Sequence, residues 1–293
     1  MTRYRIHHRT TYRYGAVMAG GHSLLHLVPR TTEAQAVEGS VISSVPFADE
    51  MDTWLDGFGN VVTYLAMHHP HDVLELVAES QVAVEPHPVP HDLDLAWDQI
   101  EELLATDTTD DGLLAHACRL PSELVPAEPN LHDLVAPAFP PGRPVVEALT
   151  DLTHRIFTSF AFDPTSSDVT TPLAEVLRNG RGVCQDFAHL AIGCLRSVGL
   201  AARYVSGYLE TEPPPGEVKL VGADASHAWC AAYVPGWGWL DLDPTNDLLA
   251  PDRHVTVAWG RDYRDVAPVR GVVVGPSAPQ EMAVAVDVAP LDD

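Results

Sequence analysis

Basic residues are scarce in this chain of 293: 17 lysines and arginines stand against 41 aspartates and glutamates, a formal net charge of -24. Such a field repels phosphate backbones and anionic lipid, and no basic cluster relieves it, so neither nucleic acid nor membrane is an expected partner. Cysteine is sparse as well. Cys118, Cys184, Cys194 and Cys230 show no framework of paired spacings, which fits reduced thiols rather than a disulfide scaffold. No stretch approaches the roughly eighteen apolar residues of a membrane span, and the first residues have no apolar signal-like segment, so a cytoplasmic location is expected. Internal repeats are absent. With 46% hydrophobic and 20% charged residues, the chain still carries enough apolar material for one large domain or two smaller ones with a real core.

What is present begins with strand-like alternation. Tyr4, Ile6, His8, Thr10, Tyr12 and Tyr14 alternate with polar neighbours, and Val61 to Met67 follows the turn Asp56-Gly57-Phe58-Gly59-Asn60, predicting a β-rich N-terminal domain over residues 1–85. Glu85 to Asp92 is Pro-rich and reads as a semi-rigid linker. Helical spacing appears in Trp97 to Ala105, Gly112 to Cys118 and Pro144 to Phe160, and the proline-dense stretch from Pro121 to Pro144 breaks any long helix between them. Residues 86–143 are therefore linker and helical segment, 144–265 a core, and 266–293 a tail. In that tail Val272 to Val274 and Met282 to Val288 read as strands that return to the structure.

Chemistry concentrates in the core. Phe187, Leu190, Ala191, Cys194, Leu195 and Val198 recur at three- and four-residue intervals, with Gly199 as a stop, so one face of this helix is core. Cys184 opens it behind Gly180 and Gly182. A helix N-terminus favours the thiolate through its unpaired N–H groups and dipole. His189, five residues on, is roughly 140° around the axis and cannot serve as the base. His227 can. It lies in an Ala225 to Val234 strand that turns at Pro235-Gly236 into a second strand, Trp237 to Leu242, and both Asp241 and Asp243 qualify by alternation to orient its ring. Trp229 shares parity with His227 and serves as core packing or as an apolar wall near an acyl intermediate, while Cys194 and Cys230 read as buried packing residues. The backbone N–H of Gln185 joins that of Cys184 as a candidate oxyanion donor. The loop Thr211 to Gly216 is a candidate border of the cleft. His68-His69-Pro70-His71 carries metal-binding side chains without a fixed ligand spacing, so no metal site is expected there.

Taken together, Arg181-Gly182-Val183-Cys184-Gln185-Asp186-Phe187, Ala202-Arg203-Tyr204-Val205-Ser206-Gly207-Tyr208, Ser226-His227-Ala228-Trp229 and Asp243-Pro244-Thr245-Asn246 resemble the bacterial transglutaminase-like proteins. The resemblance runs from Tyr12-Arg13-Tyr14 and Phe58-Gly59-Asn60 to Gly260-Arg261-Asp262-Tyr263. It implies an α+β fold: an N-terminal β-rich domain, then a papain-like transglutaminase core whose Cys-bearing helix packs on an antiparallel sheet carrying the His and Asp. It also implies a triad of Cys184, His227 and Asp243, the last preferred because it heads the Asp-Pro-Thr block. Asp241 departs from the family pattern, where a small or apolar residue is usual.

The expected chemistry is acyl transfer on amide bonds through a thioester. Hydrolysis of a peptide or isopeptide is the first reading, transfer to an amine the second, and a noncatalytic binding scaffold the third. The partner is a peptide or protein substrate. No cofactor is expected, and no EF-hand loop or other acidic cluster supports calcium.

Overall fold

Period-2 alternation carries the first 84 residues into two antiparallel sheets. The computed structural model describes residues 1–86, 89, 93–211, 226–249 and 253–291. Strands β1 (Thr2–Met18), β2 (Gly20–Leu25), β3 (Gln35–Val45), β4 (Glu50–Leu55), β5 (Val61–Met67) and β6 (His71–Val84) come first. Helices α1 (Ile100–Ala105), α2 (Asp110–Cys118), α3 (Asn130–Val135) and α4 (Val145–Ser159) follow. Next come β7 (Ala161–Phe162), α5 (Leu173–Asn179), β8 (Arg181–Gly182), α6 (Cys184–Ser197), β9 (Ala202–Leu209), β10 (Ser226–Val234), β11 (Gly238–Asp243) and β12 (Leu248–Leu249). The last strands are β13 (His254–Gly260), β14 (Val269–Val274) and β15 (Gln280–Pro290).

One N-terminal sheet has the order β15-β1-β6-β3 and the other β14-β2-β5-β4, so each accepts a strand from the end of the chain. The long strand β1 serves two cores. Tyr14 and Met18 pack with Leu25, Leu65 and Leu74, whereas Tyr4 and Ile6 join the central cluster that contains α6.

A third sheet, β12-β11-β10-β9-β13, carries His227 and Asp243. Its antiparallel hairpin sets Ala231 against Asp241 and Tyr233 against Trp239. By alternation Ala228, Cys230, Ala232, Leu240 and Leu242 share the face that joins the α6 cluster, while His227, Trp229, Asp241 and Asp243 belong to the other face. The sequence predicts one buried face for α6, but every residue from Gln185 to Leu195 is buried. The reason is the layer opposite the sheet, where α3, α4 and α5 all pack on α6. Each fully buried Leu or Ile there contributes roughly 1.5–3 kcal/mol of burial. Helix α3 forms inside the proline-dense stretch because Asn130 to Val135 fits between Pro129 and Pro137, neither of which interrupts its hydrogen bonds.

Strand β13 was not expected from the sequence, which placed its next strand at Val272. The Pro-rich linker and the Thr211 to Gly216 loop fall largely outside the described residues. Among the described residues no helix is long and apolar enough to cross a membrane.

Candidate active site

Backbone geometry brings Cys184 to the mouth of the helix layer. Gly180 ends α5 in the left-handed region at φ 63°, where glycine avoids the Cβ clash. The chain then runs through β8 into α6, and the Asp186 carboxylate folds back to accept the Val183 N–H at 2.8 Å. This fold-back needs Gly182, since a Cβ there would lie 2.7 Å from Asp186 Oδ2. Cys184 thus occupies the first helical position, half-buried, where the first N–H groups have no intrahelical acceptor.

His227 meets the thiol from the neighbouring strand. Its Nε2 is 2.7 Å from Asp243 Oδ2, which leaves Nδ1 for the hydrogen bond with Cys184. Burial disfavours the imidazolium, but hydrogen bonds to Asp243 and Cys184 and the charges of both prevail, raising the His227 pKa to about 10. Asp243 is fully buried. Burial alone would raise its pKa, yet hydrogen bonds from His227 and His254 and the charge on His227 hold it well below the usual carboxylate range. Oδ1 accepts the backbone N–H groups of Thr245 at 3.0 Å and Asn246 at 3.3 Å, and Oδ2 also accepts Asn246 Nδ2 at 2.7 Å.

The remaining sequence candidates separate in space. Gln185 lines the same cleft, its side-chain Nε2 donating to Val169 O at 3.3 Å. Trp229 is completely buried and stacks on His227 with centroids 6.0 Å apart, so it packs behind the imidazole rather than walling the cleft. Asp241 lines a different cavity, with Arg203, Trp239 and Trp259, and its charge acts on the buried Arg203 guanidinium. That guanidinium lies 3.6 Å from the Trp259 ring centroid and 4.2 Å from that of Trp239, a cation–π stack. His189 points elsewhere, accepting the Tyr263 N–H at 3.2 Å. The His68 to His71 run disperses: His68 pairs with Glu50, His69 with Asp49, and His71 Nδ1 bonds to the His69 carbonyl.

Sequence reasoning missed His254, whose Nε2 is also 2.7 Å from Asp243 Oδ2. The alternating run His254-Val255-Thr256-Val257 was the available signal. His227, Asp243 and His254 offer ligand-type atoms within 4.8 Å of one another. Both imidazole nitrogens nevertheless approach one carboxylate oxygen at 2.7 Å, a hydrogen-bond distance and shorter than the roughly 3.3 Å between neighbouring ligands around a tetrahedral zinc ion.

The cleft over Cys184 and His227 holds about 260 Å³ and is walled partly by the N-terminal sheet, through His8, Thr10 and Tyr12 of β1 and Met282 and Val284 of β15. Burial lowers the His8 pKa to about 4, with the charge of His7 adding to the shift, so its ring is neutral near pH 7. Among the described lining residues there is no Asp, Glu, Lys or Arg. A larger groove of about 870 Å³, beside the Arg143–Asp151 ion pair, contains none of these residues.

Thiol accessibility gives a direct test. Iodoacetamide near neutral pH is expected to label Cys184 at least about 100-fold faster than the other three cysteines, all of which are buried. Burial raises Cys118 to about 11 and Cys194 to about 12 and holds Cys230 well above its ordinary value. Peptide mapping by mass spectrometry reads the order, and labelling of Cys184 at or below the rate of the others would contradict the site.

Comparison with known proteins agrees with this architecture. Residues 4–83 match the bacterial transglutaminase-like N-terminal region, and residues 135–244 match the transglutaminase-like superfamily. An uncharacterised protein of Mycobacterium tuberculosis is 40% identical over 298 residues, covering 99% of this chain and 93% of its own length. A protein-glutamine gamma-glutamyltransferase of Pseudomonas aeruginosa is 40% identical over 73 residues, 25% of this chain and 11% of that protein. In fold, the crystal structure of a candidate cysteine protease from Cytophaga hutchinsonii superposes with a TM-score of 0.73 at 23% identity, covering 100% of this chain and 91% of that one. The chain belongs to the transglutaminase-like superfamily, and its transglutaminase-like core follows the bacterial N-terminal region of that family.

Proposed function

We propose that this chain hydrolyses an amide bond, in a peptide or an isopeptide, through a thioester on Cys184. The observation that carries the reading is the continuous line from thiol to imidazole to buried carboxylate, opening into one cleft. Cys184 Sγ attacks the carbonyl carbon, and the oxyanion forms beside the Cys184 and Gln185 backbone N–H groups at the start of α6. His227, positive while paired with the thiolate, gives its proton to the departing amine as the C–N bond breaks. Water then attacks the thioester with His227 as base, releasing the acid and restoring the thiol.

Two features favour water as acceptor and an uncharged acyl side chain. Cys184 is only half-buried, so solvent reaches it. Apart from His227, which is paired with Asp243 and the thiol, the described cleft residues offer no Asp, Glu, Lys or Arg to receive a substrate charge, and a charge entering unpaired loses its hydration. Transfer to an amine is the second reading, favoured by the local likeness to the gamma-glutamyltransferase. A cytoplasmic site of action belongs to the same proposal, supported by four free cysteines.

The deciding experiment incubates the protein with a glutamine-containing peptide library, with and without a primary amine, and reads products by mass spectrometry. Shorter fragments or deamidated glutamine are expected. Amine incorporation would establish transfer instead, and no product on any peptide would overturn the proposal.

A further inference from the structure

His254 opens β13, and the side chain is 2% exposed. It donates to the same Asp243 oxygen that His227 engages, each contact 2.7 Å. Its other nitrogen, Nδ1, is buried with no hydrogen-bond partner among the described residues. The ring proton therefore belongs on Nε2, where it has an acceptor. The ring also closes an aromatic triangle: its centroid lies 5.4 Å from that of His227 and 4.9 Å from that of Trp229, edge-on to both, while Trp229 stacks on His227.

These contacts suit a part in orientation rather than bond making. The backbone N–H groups of Thr245 and Asn246 anchor Oδ1, but a carboxylate held at one oxygen can still swing the other. His254 and Asn246 Nδ2 hold Oδ2 from the sides that His227 does not occupy. Since His227 meets Asp243 only through Oδ2, the position of that oxygen sets the tilt of the imidazole and the aim of Nδ1 at the thiol.

We propose that His254 is a positioning residue of this site, fixing Asp243 Oδ2 and the His227 ring so that the imidazole faces Cys184. This rests on the acyl-transfer reading above, but its test needs no substrate. The rate of Cys184 alkylation by iodoacetamide is followed from about pH 5 to 9 in the full chain and in two variants. His254→Phe keeps a ring and removes the donor, and His254→Gln restores an N–H near the place of Nε2. A lost hydrogen bond to a charged group predicts an alkylation rate about tenfold lower near pH 6 for His254→Phe, and near-normal behaviour for His254→Gln.

Wild-type alkylation across the pH range in folded His254→Phe would overturn the proposal, as would an equal loss in both variants. Should phenylalanine prevent folding, His254→Ala with added imidazole replaces it: recovery of the rate supports the positioning role, and no recovery in folded protein contradicts it. A chain that follows this pattern yet never cleaves, deamidates or transfers any amide would remove the catalytic reading while leaving the role of His254 standing.

Discussion

Cys184→Ala is expected to abolish turnover, a loss of at least about 10⁴-fold, because the thioester route disappears with the sulfur. Stability should change by only about 1–2 kcal/mol, since the half-buried thiol at the first helical position gives up one hydrogen bond, to His227. Thermal melting alongside a peptide-amide assay separates the two effects. Retained activity in a folded alanine variant would end the case for covalent catalysis.

Asp243→Ala should be costlier, because it removes an acceptor from two imidazoles, the Asn246 amide and two backbone N–H groups at a fully buried point. Breaking a buried charged pair from one side costs about 3–5 kcal/mol. Without the carboxylate, His227 falls from about 10 toward its ordinary 6.5, and turnover is expected to drop by about 10³-fold or more.

The sign of the pH dependence follows from the two shifts. Asp243 is depressed, so its contribution to stability is present above the ordinary 3.8 and fades as pH falls toward its lower folded value. His227 is raised, so its contribution is complete below 6.5 and fades as pH rises to about 10. Urea melts of wild type and Asp243→Ala should therefore differ most near pH 5.5, with the gap narrowing toward pH 10. A gap independent of pH would assign the loss to packing instead.

Local pattern carried much of the site. The glycines before Cys184 and the apolar spacing after it specify a helix that begins at the sulfur, and Pro235-Gly236 specifies the hairpin joining β10 to β11. Asp241 and Asp243 could not be separated by alternation, because both point to the same face; burial distinguishes them, with Asp243 enclosed by five donors while Asp241 acts on Arg203. His254 escaped notice for a different reason. Its strand pairs with β9, setting His254 against Leu209 across three intervening strands of the chain, and a pairing of that reach leaves no local signature beyond a short alternation behind Pro251. The N-terminal contribution to the cleft was equally hidden. Alternation says that His8 and Thr10 face inward, but only tertiary assembly says that inward includes the space above Cys184.

The closing strand β15 has a double position. It is hydrogen-bonded along β1 from Tyr4 to Tyr14, and two of its side chains border the space above Cys184. A proteolytic nick that released these 11 residues would bare a long row of β1 amides and carbonyls, the kind of edge that recruits other chains into aggregates, and would unroof the reaction chamber in the same stroke. The cover of the β1 edge and the wall of the cleft are thus vested in one ribbon, so damage to either is damage to both.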